Sequence, residues 1–86
     1  MEKFSLSFKK SAEKELRRVP NPPLKLLLKK IEMLGAHPRP HDAVMLKGGE
    51  KHFRVRQGDY RIVYEIRDEE KMIVIIRIGH RREVYG

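Results

Sequence analysis

Apolar residues recur along this chain with two periods, and each period names an element. Phe4, Leu6 and Phe8 alternate with polar neighbours, which predicts a short first strand. From Phe8 the period lengthens. Phe8, Ala12, Leu16 and Val19 follow at spacings of four, four and three, one face of a helix, with Ser7 placed to cap it. Pro20 stops that helix, and Asn21 with Pro22 supplies the N-cap and first-turn proline of a second. Leu24, Leu27, Leu28, Ile31 and Leu34 give the second helix its apolar side; Gly35 is its expected C-cap, and Pro38 and Pro40 bar continuation. Lys25, Lys29 and Lys30 fall on the other side, as a solvated helix face requires. His37 to Gly49 is a loop with a short edge strand near Val44 to Leu46, and Gly48-Gly49 marks a turn.

Beyond His52 the period is two again. Phe53 and Val55 point one way, Arg54 and Arg56 the other. After a tight turn at Gln57-Gly58-Asp59, Tyr60, Ile62, Tyr64 and Ile66 line one face of a strand to Arg67, while Arg61, Val63, Glu65 and Arg67 take the opposite face. Asp68 to Lys71 is a polar hairpin loop. Met72 to Ile78 is nearly continuous apolar sequence, as a central strand covered on both faces needs, and Gly79 ends it before a tail from His80 to Gly86. The order is β-α-α-β-β-β. The expected fold is α+β: a two-helix hairpin on one face of a mostly antiparallel four-stranded sheet, one domain spanning residues 1–86.

Charge changes the picture of the second sheet face. The 86 residues carry 20 Lys and Arg against 12 Asp and Glu, a formal net charge of +8. Such a balance favours a polyanion or an acidic protein partner. The chain has no cysteine, so disulfides, iron–sulfur clusters and thiolate zinc sites are excluded. Met1 to Phe8 has no apolar signal core, and no apolar run approaches the ~20 residues of a membrane span, so a cytoplasmic protein without a membrane partner is expected.

The chemistry-bearing residues narrow the classes further. The acidic residues are scattered, and the His37–His41 pair sits in a proline-rich loop, a poor zinc site. No phosphate-binding glycine loop, Ser-His-Asp set or thiol nucleophile is present. Any catalysis is therefore expected to use no metal and no cofactor. RNA supplies its own nucleophile, the 2′-hydroxyl. A protein cutting it must orient the backbone, move protons and neutralise charge on the phosphoryl group. Arg54, Arg56, Arg61, Arg81, His80 and Tyr85 form a candidate set for that work. Each has a plainer alternative. Arg61 can pair with Glu65 along its strand face, Tyr85 can dock the tail, His80 can cap a strand end, and Arg77, inside the apolar strand, calls for a carboxylate partner. Tyr60 and Tyr64 share the apolar parity of Ile62 and read as core, not as base-stacking platforms.

The segments LKGG…FRVRQGDYRIVYEI and IRIGHRREVY resemble the RelE/ParE toxin superfamily, and the likeness spans almost the whole chain. The resemblance implies a ribosome-dependent endoribonuclease that cuts messenger RNA in the A site and is silenced by a cognate antitoxin. It implies that Arg54 and Arg56 grip RNA, that Arg61 and Arg81 stabilise the phosphoryl group, and that Tyr85 organises the scissile nucleotides. Lys47 and Arg82 complete the expected RNA-binding set. Relatives often carry lysines in the strand before the GDYR turn, one of them a proposed general base. Arginines stand there in this chain and hold their protons far more tightly, so His80 becomes the expected proton carrier. Two other readings remain open: a ParE-like inhibitor of DNA gyrase, and a non-catalytic module for antitoxin or nucleic-acid binding.

Overall fold

The alternation in the last third of the chain is what builds the sheet. The computed structural model describes residues 3–47 and 51–80. Its elements are β1 (Ser5–Phe8), α1 (Lys10–Arg17), α2 (Pro23–Ala36), β2 (Val44–Met45), β3 (His52–Gln57), β4 (Tyr60–Arg67) and β5 (Met72–His80). The sheet has five strands in the order β1-β5-β4-β3-β2, where four were expected. It is also mixed, because β1 enters parallel to β5 while the other pairs are antiparallel. A strand's own alternation does not encode its neighbour's direction. Here both helices and three strands separate β1 from β5, a connection long enough for parallel entry. The fifth strand is β2, the short edge strand read near Val44, reduced to two residues.

The helices and one sheet face share a single core. Ala12, Leu27, Ile31 and Leu34 meet Val55, Ile62, Tyr64, Ile66, Ile73, Ile75 and Ile78, each essentially fully buried. Every large aliphatic side chain in that set contributes about 1.5–3 kcal/mol. Leu28, read as part of the stripe, is 46% exposed, because Leu27, Ile31 and Leu34 centre the buried face and leave it on the flank.

The helix ends differ from expectation for local reasons. Ser7 stays in β1 opposite Val74 instead of capping α1. The N-cap is Lys9, which offers no side-chain bond; its own N–H donates to the Ile75 carbonyl at 2.9 Å. In α2, Pro22 takes the N-cap and Pro23 the first helical position, one residue later than read. Gly35 lies inside α2, which runs on to Ala36. The start of β1 crosses the helix there: Phe4 N–H donates to Gly35 O at 2.8 Å, and a Cβ on Gly35 would stand 3.1 Å from the Phe4 carbonyl oxygen. Gly58, in the two-residue turn between β3 and β4, has φ 62°, a conformation that favours glycine. The Gly48-Gly49 turn lies outside the described residues.

β5 contains a feature the periodicity did not show. Val63 of β4 faces Arg77, but Tyr64 faces Ile75, so Ile76 is an extra residue. Unbroken alternation would put Arg77 on the core face with Ile73 and Ile75. The bulge turns Arg77 to the opposite face and seats Ile78 in the core. The strand also continues through Gly79 to His80 rather than ending at the glycine.

Candidate nucleic-acid interface

Because Phe53, Val55, Ile62 and Tyr64 point into the core, their strand neighbours must face away from the helices. The register arranges those neighbours in two adjacent rows. One runs Arg54–Val63–Arg77 across β3, β4 and β5, and the next runs Arg56–Arg61–Gly79. Partners within a row are about 5 Å apart, and the rows about 7 Å. Four arginines thus surround Val63, and the glycine opposite Arg61 leaves that side without a side chain. Arg56 is exposed, Arg54 half-buried and Arg61 buried, at 6% exposure.

Two like charges directly opposite each other weaken a sheet. Arg56 and Arg61 are such a pair. Arg54 adds a second cost: its Nε is buried and has no hydrogen-bond partner among the described residues. An anionic oxygen held between these guanidinium groups offsets both, through charge-assisted hydrogen bonds that arginine forms in pairs.

The same face is neutralised at its other end. Glu65 accepts from Arg67 Nε at 3.1 Å and stands 4.0 Å from His52, and Arg67 also meets Glu70 at 3.6 Å. Glu65, offered above as a partner for Arg61, is thus engaged by Arg67 and His52. The hydrogen bond to Glu65 raises the Arg67 pKa. Nearby, Arg39 binds Asp68 through both terminal guanidinium nitrogens at 3.2 and 2.9 Å and lies 5.7 Å over the Phe53 ring. That hydrogen bond holds the Asp68 carboxyl below its ordinary range. Cationic charge is therefore concentrated at the end of the sheet near the β3–β4 turn, where Arg54 and Arg56 make no ion pair among the described residues.

The structure brings Arg54, Arg56 and Arg61 together, and it separates two other candidates from them. His80 pairs with Tyr60 on the helix side, ring to ring at 5.6 Å in an edge-on contact. There it lines a cleft of about 320 Å³ with Glu15, Arg18, Val19, Ile78 and Gly79. The bulge at Ile76 sets this parity. Lys47 is exposed beyond β2, at the His52 end of β3 and away from Arg56. Arg81, Arg82 and Tyr85 lie outside the described residues. The two tyrosines read as core are on the helix side. Tyr64 is fully buried, donates to Pro38 O at 2.8 Å, and has its pKa pushed up to about 12 by burial.

Comparison with known proteins gives this arrangement a family. A model of the ParE toxin of type II toxin–antitoxin systems, parDE, matches residues 6–85. The chain belongs to this toxin family. A Methanocaldococcus jannaschii protein named RelE1 is 33% identical over 86 residues, 96% of each chain. In an archaeal RelE–RelB complex from Pyrococcus horikoshii OT3, the matching chain is 26% identical with a TM-score of 0.81, over 92% of this chain and 96% of that one. The isolated E. coli RelE toxin is 26% identical with a TM-score of 0.80, over 90% and 83%. The toxin described here is thus a RelE-like member of the RelE/ParE superfamily.

One residue of the toxin's basic end escaped the sequence reading. Glu15 accepts a hydrogen bond from Ile78 N–H at 2.8 Å and stands 3.7 Å from Arg77 Nε, the carboxylate that Arg77 called for. The signal was available: Glu15 falls between Ala12 and Val19 at spacings of three and four, a charge inside an apolar stripe.

Proposed function

We propose that this toxin is a metal-independent endoribonuclease that cuts messenger RNA in the ribosomal A site and is held inactive by a cognate antitoxin. The observation that carries the reading is the opposed Arg56–Arg61 pair beside Arg54, a concentration of guanidinium groups on the sheet face away from the helices. In this mechanism Arg54 and Arg56 hold the RNA backbone. Arg61, joined by Arg81, neutralises charge as the 2′-hydroxyl gives its proton to water and attacks the adjacent phosphate, closing a 2′,3′-cyclic phosphate while the 5′-oxygen leaves and takes a proton from water. Tyr85 orients the nucleotides on either side. Lys47 and Arg82 add charge along the path of the strand. His80 faces the helix side against Tyr60, so its part is to shape that cleft and not to carry the proton. Solved relatives in complex with RelB support a protein antitoxin as the partner.

The test uses ribosomes carrying a defined messenger with an empty A site, with cut ends mapped by primer extension. A discrete A-site cut is expected, insensitive to EDTA where ribosomes stay intact, and lost in Arg61→Ala and Arg81→Ala. His80→Ala is expected to cut within a few-fold of wild type. The match to the ParE toxin family keeps one alternative in view, a ParE-like inhibitor of DNA gyrase. Folded protein that leaves messenger intact but blocks supercoiling would establish that reading instead.

A further inference from the structure

β5 has a strand on both sides only over its first half. β1 pairs with Met72 to Ile75 and then turns away, the Lys9 N–H making the last bond to Ile75 O. From the bulge onward, the described residues place no strand against the outer edge of β5. Yet this second half brings Arg77 to the first arginine row and Gly79 opposite Arg61, and it leads directly to Arg81.

A helix fills the gap. α1 packs on β5, and Glu15 reaches the strand's edge from within the helix's inward stripe. Its Oε1 accepts the Ile78 N–H at 2.8 Å while its Oε2 stands 3.7 Å from Arg77 Nε. One carboxylate thereby holds a backbone amide on the outer edge of β5 and a guanidinium of the arginine rows. A carboxylate accepting a backbone N–H makes a shorter, stronger bond than a neutral acceptor. A bulged strand whose outer edge meets no other strand among the described residues is where such a bond matters most, because the ladder to β4 is already interrupted.

We propose that Glu15 is a positioning residue. By holding the edge of β5 at Ile78 and Arg77, it sets where the end of the strand stands relative to Arg61. The proposal rests on the nuclease reading for its effect on cleavage, but its structural half is independent of that reading.

Amide hydrogen exchange and ribosome-dependent cleavage are measured on the folded toxin and on Glu15→Ala, Glu15→Gln and Glu15→Asp. In Glu15→Ala, exchange at Ile78 is expected to quicken at least about tenfold while Ile62 and Ile66 stay protected. Its kcat is expected to fall about tenfold or more with KM little changed, since misplacement acts on the reacting geometry. Glu15→Gln keeps an oxygen acceptor and is expected to recover both. Leu34→Val, which lowers stability without touching β5's edge, is expected to keep its kcat. Unchanged exchange at Ile78 in Glu15→Ala overturns the proposal, as does a Glu15→Gln no better than Glu15→Ala or an equal kcat loss in Leu34→Val. Should Glu15→Ala fail to fold, Glu15→Asp takes its place: one methylene shorter, it should expose Ile78, and wild-type protection there overturns the proposal. If the wild type cuts no messenger, the nuclease reading falls alone, and exchange at Ile78 still decides whether Glu15 holds the strand.

Discussion

Arg56 stands exposed and directly opposite Arg61, so its contribution to the fold and to function should have opposite signs. Arg56→Thr removes the repulsion and places a good strand former on the sheet. We expect the melting temperature to rise by a few degrees, equivalent to roughly 0.5 kcal/mol in a domain of this size, in a thermal melt. Cleavage should fall about a hundredfold in the same preparation, since a group that positions the RNA backbone is lost. Tyr64 behaves in the ordinary way. Its hydroxyl donates to Pro38 O from inside the core, so Tyr64→Phe should cost about 1 kcal/mol by urea denaturation and leave cleavage unchanged.

At the scale of elements, the close approach of β1 to α2 makes Gly35 a tightly constrained residue. Gly35→Ala puts a methyl 3.1 Å from the Phe4 carbonyl oxygen, a backbone atom that cannot rotate away. A loss of about 1–3 kcal/mol is expected in denaturant titrations, against the slight gain that alanine brings at an open helical site. The sequence reads Gly35 as a helix stop because a glycine before two prolines commonly is one; only the path of a distant strand shows otherwise. The same divide runs through the site. Phe53 and Val55 against Arg54 and Arg56 is a local alternation, and it predicted both the core and the arginine face. The side of the sheet that His80 takes was not legible, because one extra residue at Ile76 reverses every side chain after it, and a bulge in a uniformly apolar run leaves no mark on the pattern. The parallel entry of β1 was equally silent, being a relation between segments and not a property of either.

Across the whole molecule, charge adjusts stability and, under the nuclease reading, binding. Asp42 and Asp68 titrate below their ordinary range, through hydrogen bonds to Lys30 and to Arg39 respectively. Because the folded pKa values are the lower ones, the stability they confer is fully present above the unfolded carboxyl pKa, about 4, and is lost as pH falls through the folded values. Melting temperature should therefore drop on acidification below about pH 4, and less steeply in Asp68→Asn, which has already lost the linkage. Binding to single-stranded RNA should weaken with salt in proportion to the phosphates contacted. Replacing Arg54, Arg56 and Arg61 together should flatten the plot of log affinity against log salt by about 2 in slope, given about 0.7 per contact. The sheet keeps these two roles apart, with packing on its helix side and arginines on the other. A partition of that kind has a genetic consequence under the nuclease reading. Cells forced to express the toxin without its antitoxin will yield survivors whose mutations fall into two kinds. Some will abolish the protein altogether. Others, at Arg54 and Arg56, will leave a soluble, normally abundant and harmless chain, distinguishable from the first kind on a simple immunoblot.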